Sequence, residues 1–325
     1  MSTGRLLSPA IGIRIAACSD RLTALERHMT EIRRILCPID FSETSRHALE
    51  HAVAIAKWYE SKVIALHVLH EPAFPKPPIL FAEFSSSISP ADYESREMEL
   101  RSWLEPADRA GIKTHAVVAK GRASAQILEQ AVSRQADLIV MGTHGLGGFE
   151  RFMLGSVAER VLRKAMCPVL TVPPASATAA KVPYTRLLCP VDFSETSLAA
   201  LQFAFSVAEE ADAHLTILHV FDWPADEGLL VERFDAREFR EVVENEVRER
   251  LDSLVTDDVR TWCKPTTRIV YGKPYRRILE TAEQEESDLI VIGVRGRNPV
   301  DVALFGSTTN HVVRRASCPV LTLKG

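Results

Sequence analysis

The stretch Asp40-Phe41-Ser42-Glu43-Thr44-Ser45 is written a second time as Asp192-Phe193-Ser194-Glu195-Thr196-Ser197, 152 residues further on. The glycines Gly142, Gly145 and Gly155, the last followed by Ser156, return 151 residues later as Gly293, Gly296 and Gly306, the last followed by Ser307. Both copies keep the same order, so the chain reads as two similar domains in tandem. The repeated segments are polar, glycine-bearing loops, and loops that keep their chemistry usually carry function.

A length of 325 residues suits two domains, each able to bury a core of its own. A net charge of −4 gives no general electrostatic reason to bind nucleic acid. No run of 18 apolar residues occurs, so no membrane span is expected. Arg5 and Arg14 interrupt the weakly apolar start, which does not read as a signal peptide. Residues 1–30 are expected to be a disordered extension, 31–173 the first domain, 174–184 a linker rich in proline and small residues, and 185–325 the second domain. Four of the six cysteines fall at equivalent places, Cys37 with Cys189 and Cys167 with Cys318, and no Cys-x-x-Cys spacing occurs. They read as small buried residues of a cytoplasmic protein.

Each half alternates strand and helix. Arg34 to Ile39 is a compact apolar run that stops at a polar turn, where Ser42 reads as a helix N-cap with Glu43 behind it. Ala48, Leu49, Ala52, Val53 and Ala56 form a helical stripe, repeated as Ala200, Leu201, Ala204, Phe205 and Ala208. Lys62 to Leu69 and His214 to Val220 read as second strands, Ile112 to Ala119 and Thr266 to Tyr271 as third, Ala136 to Met141 and Ser287 to Ile292 as fourth, Pro168 to Val172 and Pro319 to Leu323 as last. Helices are expected over Ala91 to Ala110 and within Asp226 to Val255, and Gly121 and Gly272 turn the chain into further helices. This order implies α/β domains with mostly parallel sheets covered on both faces. Ligands of such sheets sit beyond the carboxyl ends of the strands, where Asp40 and Gly142 both fall.

A phosphate chain needs backbone N–H groups with no side chain in the way, and glycine allows that approach. A helix start adds unpaired N–H groups and partial positive charge. The spacing Gly142-x2-Gly145-x9-Gly155-Ser156 offers both, and Ser156 and Ser307 each add a hydroxyl. The dinucleotide fingerprint is missing after the first strand, and the only Gly-Lys pair, Gly272-Lys273, is followed by proline rather than Ser or Thr. Asp40 and Asp192 have a second reading, as residues that merely arrange the turn before a helix.

These motifs together resemble the universal stress protein family, in its ATP-binding subgroup, over about residues 32 to 323. The resemblance implies two tandem flavodoxin-like domains, each a doubly wound five-stranded sheet. It implies nucleotide contacts from Pro38, Asp40, Val68 and Met141 in the first domain, with Gly142, Gly145, Gly155, Ser156 and Val157 around the phosphates. The second set is Pro190, Asp192, Val220 and Ile292, with Gly293, Gly296, Gly306, Ser307 and Thr308. ATP, with magnesium brought by the triphosphate, is the expected cofactor, and the protein is expected to respond to it as a stress or regulatory factor rather than as an enzyme. Slow hydrolysis or self-phosphorylation at Ser156 or Ser307 stays open, as does a stress module that works without nucleotide. An unidentified protein partner is expected, with no nucleic acid and no membrane among the partners. The two last strands are expected to pair within the chain as a pseudo-dimer, and homo-oligomers remain open. The first site is favoured, because Pro299 removes a donor and Asp301 adds negative charge in the second loop, although Arg295 and Arg297 weigh the other way.

No metal site is expected. His47 and His51 have metal-ligand spacing, but the second repeat keeps neither, so a solvated helix face is the simpler reading. His67 and His219, inside apolar strands, read as satisfied and partly buried histidines.

Overall fold

Ile35, Leu36 and Cys37 are consecutive and fully buried. Successive side chains of a strand point to opposite faces, so both faces of this strand must be covered. The computed structural model describes residues 32–70, 89–145, 154–174, 182–222, 236–263, 265–294 and 306–324. The expected extension 1–30 lies outside the described residues.

The first half runs β1 (Arg34–Pro38), α1 (Glu43–Tyr59), β2 (Lys62–Leu69), α2 (Pro90–Arg109), β3 (Thr114–Lys120), α3 (Ala123–Ser133), β4 (Leu138–Gly142), α4 (Ser156–Lys164) and β5 (Val169–Val172). The second half runs β6 (Arg186–Pro190), α5 (Glu195–Ala211), β7 (His214–Phe221), α6 (Ala236–Leu254), α7 (Asp257–Cys263), β8 (Thr266–Tyr271), α8 (Pro274–Gln284), β9 (Leu289–Gly293), α9 (Ser307–Arg315) and β10 (Val320–Leu323). The strand and helix order expected from the sequence is present in each half, and α7 is an addition to it. Ser42 caps α1 and Ser194 caps α5, each accepting from the N–H three residues on.

The strands form one sheet in the order β3-β2-β1-β4-β5-β10-β9-β6-β7-β8. Each half is parallel, and the halves meet where β5 and β10 pair antiparallel. Leu170 faces Leu321 at the centre of that pairing. Around it, Thr171 donates its hydroxyl to the Val320 carbonyl, and Thr322 donates to the Val169 carbonyl, both at 3.1 Å. This reciprocal pattern is the mark of an isologous interface made within one chain. It covers two strand edges that would otherwise offer open ladders. Because β5 and β10 run in opposite directions, the carboxyl ends of the two parallel halves point to opposite sides of the molecule.

One apolar layer joins the sheet to α1, α2, α5, α6 and α7, and the other joins it to α3, α4, α8 and α9. Both layers continue across the seam. At the seam the sequence reading of His51 is overturned: it is 3% exposed, not solvated. Its Nδ1 is 3.2 Å from the hydroxyl of Tyr184, itself buried at the entry to the second half. The covering surface comes from the other repeat, which helix periodicity cannot reveal.

Burial, aided by nearby His47, pushes the His51 pKa down to about 4. An unfolded histidine titrates near 6.5, so between those values the unfolded chain binds more protons. The stability held above pH 6.5 is therefore lost as the pH falls toward 4. We expect His51→Phe, which installs the residue found at the equivalent Phe203, to reduce the drop in unfolding free energy between pH 7 and pH 4.5 by about 2 kcal/mol. Urea titrations at the two pH values measure this, and an unchanged drop would contradict it.

Candidate functional site

In each half the strand order reverses direction between its first and fourth strands, β1 beside β4 and β6 beside β9. A crevice opens at such a switch point, outside the carboxyl ends of the strands. Asp40 follows β1 there, and Gly142 ends β4.

The β1–α1 turn is tightly specified. Asp40 Oδ1 accepts from the Ser42 N–H at 3.1 Å and from the Ser42 hydroxyl at 2.5 Å. Asp192 Oδ1 accepts from the same groups of Ser194 at 3.0 and 2.6 Å. The turn-arranging role is thus real in both copies, and it is carried by one oxygen. The other oxygen of Asp40 faces Gly145, where a Cβ would lie 2.5 Å from Oδ2.

After β4 the chain passes through Thr143 and His144, and the Gly155 N–H returns to the Thr143 carbonyl at 2.9 Å. The Gly306 N–H returns to the Val294 carbonyl at 3.0 Å. Gly155 and Gly306, which carry no side chain to cap with, then sit at the N-cap of α4 and α9. The first N–H groups of such a helix have no partner within the helix and can meet a ligand.

A cavity of about 630 Å³ lies between these parts, within the range of small-molecule sites. All nine residues expected of the first site line it: Pro38, Asp40, Val68, Met141, Gly142, Gly145, Gly155, Ser156 and Val157. Its apolar wall comes from β2, β4 and α3, and its polar end is the start of α4 opposite Asp40. The second half holds a cavity of about 420 Å³ lined by Pro190, Asp192, Val220, Ile292, Gly293, Gly306, Ser307 and Thr308. Gly296, with Arg295, Arg297, Pro299 and Asp301, lies outside the described residues. Asp222, ion-paired with Lys273 at 3.2 Å, adds a second carboxylate to this cavity.

Several lining residues escape the sequence reading. Ile127 and Ile278 enter from α3 and α8, outside either repeated motif, while Ser45 and Ser197, the last residues of the repeated aspartate motif, line the cavities without having been assigned a contact. Both pairs share the repeat offsets, which is the one signal that marks them. Gly142 and Gly293 have a packing role that was also missed. A Cβ on Gly142 would lie 2.6 Å from Thr44 Cγ2, and one on Gly293 would lie 2.8 Å from the Thr196 backbone. Glycine there lets the start of α1 or α5 close onto the sheet.

His67 and His219 are satisfied, as expected, through Nδ1 bonds of 2.8 and 2.7 Å to the carbonyls of Ile39 and Val191. Burial lowers the pKa of His67, partly offset by that bond. Cys37 and Cys189 are fully buried, which drives their thiol pKa values far up. Among the described residues no group of three or more His, Cys, Asp or Glu could hold a metal, and no helix is long and apolar enough to cross a membrane.

The family model for the universal stress protein family matches residues 31–173 and 183–324. A universal stress protein from Methanocaldococcus jannaschii is 40% identical over 141 residues, 43% of this chain and 81% of that protein. One from Mycolicibacterium smegmatis is 23% identical over 305 residues, 89% of this chain and 96% of that protein. The crystal structure of a universal stress protein from Archaeoglobus fulgidus, 24% identical, covers 91% of this chain and 97% of its own with a TM-score of 0.62, a likeness of fold. Matched once in each half, the chain belongs to the universal stress protein family.

Proposed function

We propose that each half binds an adenine nucleotide, ATP with its magnesium, and that the protein is a nucleotide-responsive stress factor rather than an enzyme. The supporting observation is the first cavity, where a helix start with glycine at its N-cap, a glycine turn and an oriented aspartate line one apolar-walled space. The N–H groups at the start of α4, with the Ser156 hydroxyl, would hold phosphate oxygens. Asp40 would accept from ribose hydroxyls, and Val68 and Met141 would flank the base and sugar. Magnesium would arrive on the phosphates, since a triphosphate supplies its own oxygen ligands. In the second cavity Ser307, Thr308, Asp192, Val220 and Ile292 would take the same parts.

The response would follow from linkage. A partner that prefers the nucleotide-bound form of the glycine loop must in turn raise the affinity for nucleotide. Denaturing the purified protein and identifying the released small molecules by mass spectrometry tests the ligand. Adenine nucleotide carried through purification, or taken up from added MgATP in preference to GTP and cyclic AMP, is expected. A protein that carries none and takes up none would overturn the proposal.

A further inference from the structure

The aspartate turn is held from behind by the same three groups in both halves. β1 ends at Pro38, and the next residue, Ile39, is pinned twice. Its N–H donates to the Leu66 carbonyl at 2.8 Å, and its carbonyl accepts from His67 Nδ1 at 2.8 Å. The imidazole thus extends the β1–β2 ladder one peptide past the strand end. In the other half, the Val191 N–H donates to the Leu218 carbonyl at 2.8 Å, and the Val191 carbonyl accepts from His219 Nδ1 at 2.7 Å. After the aspartate, Phe41 has φ 65° and Phe193 φ 62°. A bulky residue there is strained, and such strain persists only where its surroundings hold it. The holding groups are visible: the Phe41 ring lies 4.7 Å from the His67 ring, and the Phe193 ring 5.1 Å from that of His219. On each ring rests an arginine, Arg96 of α2 at 5.6 Å over Phe41 and Arg250 of α6 at 4.2 Å over Phe193.

We propose that His67 and His219, acting through Phe41 and Phe193, are positioning residues that aim Asp40 and Asp192 at the sugar of a bound nucleotide. The histidine fixes the peptide before the aspartate, and the phenylalanine, seated on the histidine ring, fixes the backbone after it. With Oδ1 committed to Ser42 or Ser194, the carboxylate has one orientation left. The satisfied histidine in an apolar strand is then a part of the site: His67 itself lines the first cavity, and both histidines hold the turn that carries the aspartate.

This inference rests on the nucleotide reading, and its test separates the two. The full-length protein is titrated with ATP, ADP and 2′-deoxy-ATP. The wild type is expected to favour ATP over 2′-deoxy-ATP by about tenfold, the scale of one lost hydrogen bond to a charged group. Asp40→Ala with Asp192→Ala should erase that preference. His67→Leu with His219→Leu should bring it to within about threefold of unity while leaving the ATP-to-ADP ratio, set at the far end of the cavity, unchanged. His67→Gln with His219→Gln, which restores a donor, should recover part of it. A general loss of structure would lower all three affinities together. Should the leucine pair not fold, Phe41→Gly with Phe193→Gly decides, because glycine accepts the positive φ and removes only the ring. Full retention of the ATP preference in these variants would overturn the positioning role and leave the nucleotide reading standing. A wild type that binds ATP and 2′-deoxy-ATP alike would do the same. A wild type that binds no ATP would end both.

Discussion

Gly145→Ala is expected to weaken ATP binding at the first site by about tenfold to a hundredfold, or roughly 1.4 to 2.8 kcal/mol, without unfolding the protein. The added methyl would sit 2.5 Å from Asp40 Oδ2. A carboxylate oxygen can often swing away from such a contact. Here it is restrained, because Oδ1 holds both the N–H and the hydroxyl of Ser42. Turning the carboxylate sacrifices those bonds, and leaving it in place forces the glycine loop outward, away from the start of α4. Either outcome damages the proposed sugar or phosphate contacts. Gly145 is exposed, so the cost to folding should be small. Calorimetric titration with MgATP and a melting curve measure the two effects separately. Unchanged first-site affinity would contradict the assignment of Asp40.

Gly293→Ala is expected to have the opposite profile, a loss of stability of about 3 kcal/mol, at the upper end for overpacking. Its Cβ would fall 2.8 Å from the carbonyl carbon and oxygen of Thr196 and 2.9 Å from the Ser197 nitrogen. These are backbone atoms at the start of α5, and no rotamer change relieves them. The helix must move off the sheet and take Asp192 with it. At roughly 2–4 °C per kcal/mol, the melting temperature should fall by about 6–12 °C. Gly142→Ala should cost less, because its nearest neighbour is a methyl group, Thr44 Cγ2 at 2.6 Å. Adding Thr44→Ser to Gly142→Ala removes that methyl and should recover part of the loss. The recovery would be partial, since the Thr44 carbonyl also lies 3.2 Å from the added carbon. Equal stability of Gly293→Ala and wild type would contradict the packing role.

These glycines mark where sequence reading reached and where it stopped. The repeat made two domains legible, and the apolar runs made their strands legible to within a residue or two. Lys62–Leu69 and Thr266–Tyr271 stand where the sequence put them. Asp40 and Gly142 could be brought to one rim because both lie at strand ends, and a parallel sheet collects its strand ends on one side. Close approach is another matter. That Gly142 and Gly293 meet the first turn of a helix depends on a contact between segments about 100 residues apart, and the same glycines would serve in a phosphate turn. The short helix Asp257–Cys263 has too few turns to show a period. His51 looked solvated because its own helix does not cover it. Its partner is Tyr184, 133 residues away in the other half. The pairing of β5 with β10 was legible from the likeness of their sequences together with the family resemblance, which implies pairing through the last strand. Its consequence, two sites on opposite sides of the molecule, follows from the antiparallel register.

Because the two candidate sites face apart, they cannot share one ligand, and on the proposed function each would bind its own. Equilibrium dialysis of the full-length protein against saturating MgATP, with bound nucleotide counted per chain, tests this most directly. Two nucleotides per chain are expected, the first-domain site filling first, with binding about tenfold weaker at each site in the paired Asp40→Ala and Asp192→Ala protein. A folded wild type that holds no nucleotide, or a paired variant that still holds two with unchanged affinity, would contradict the proposal.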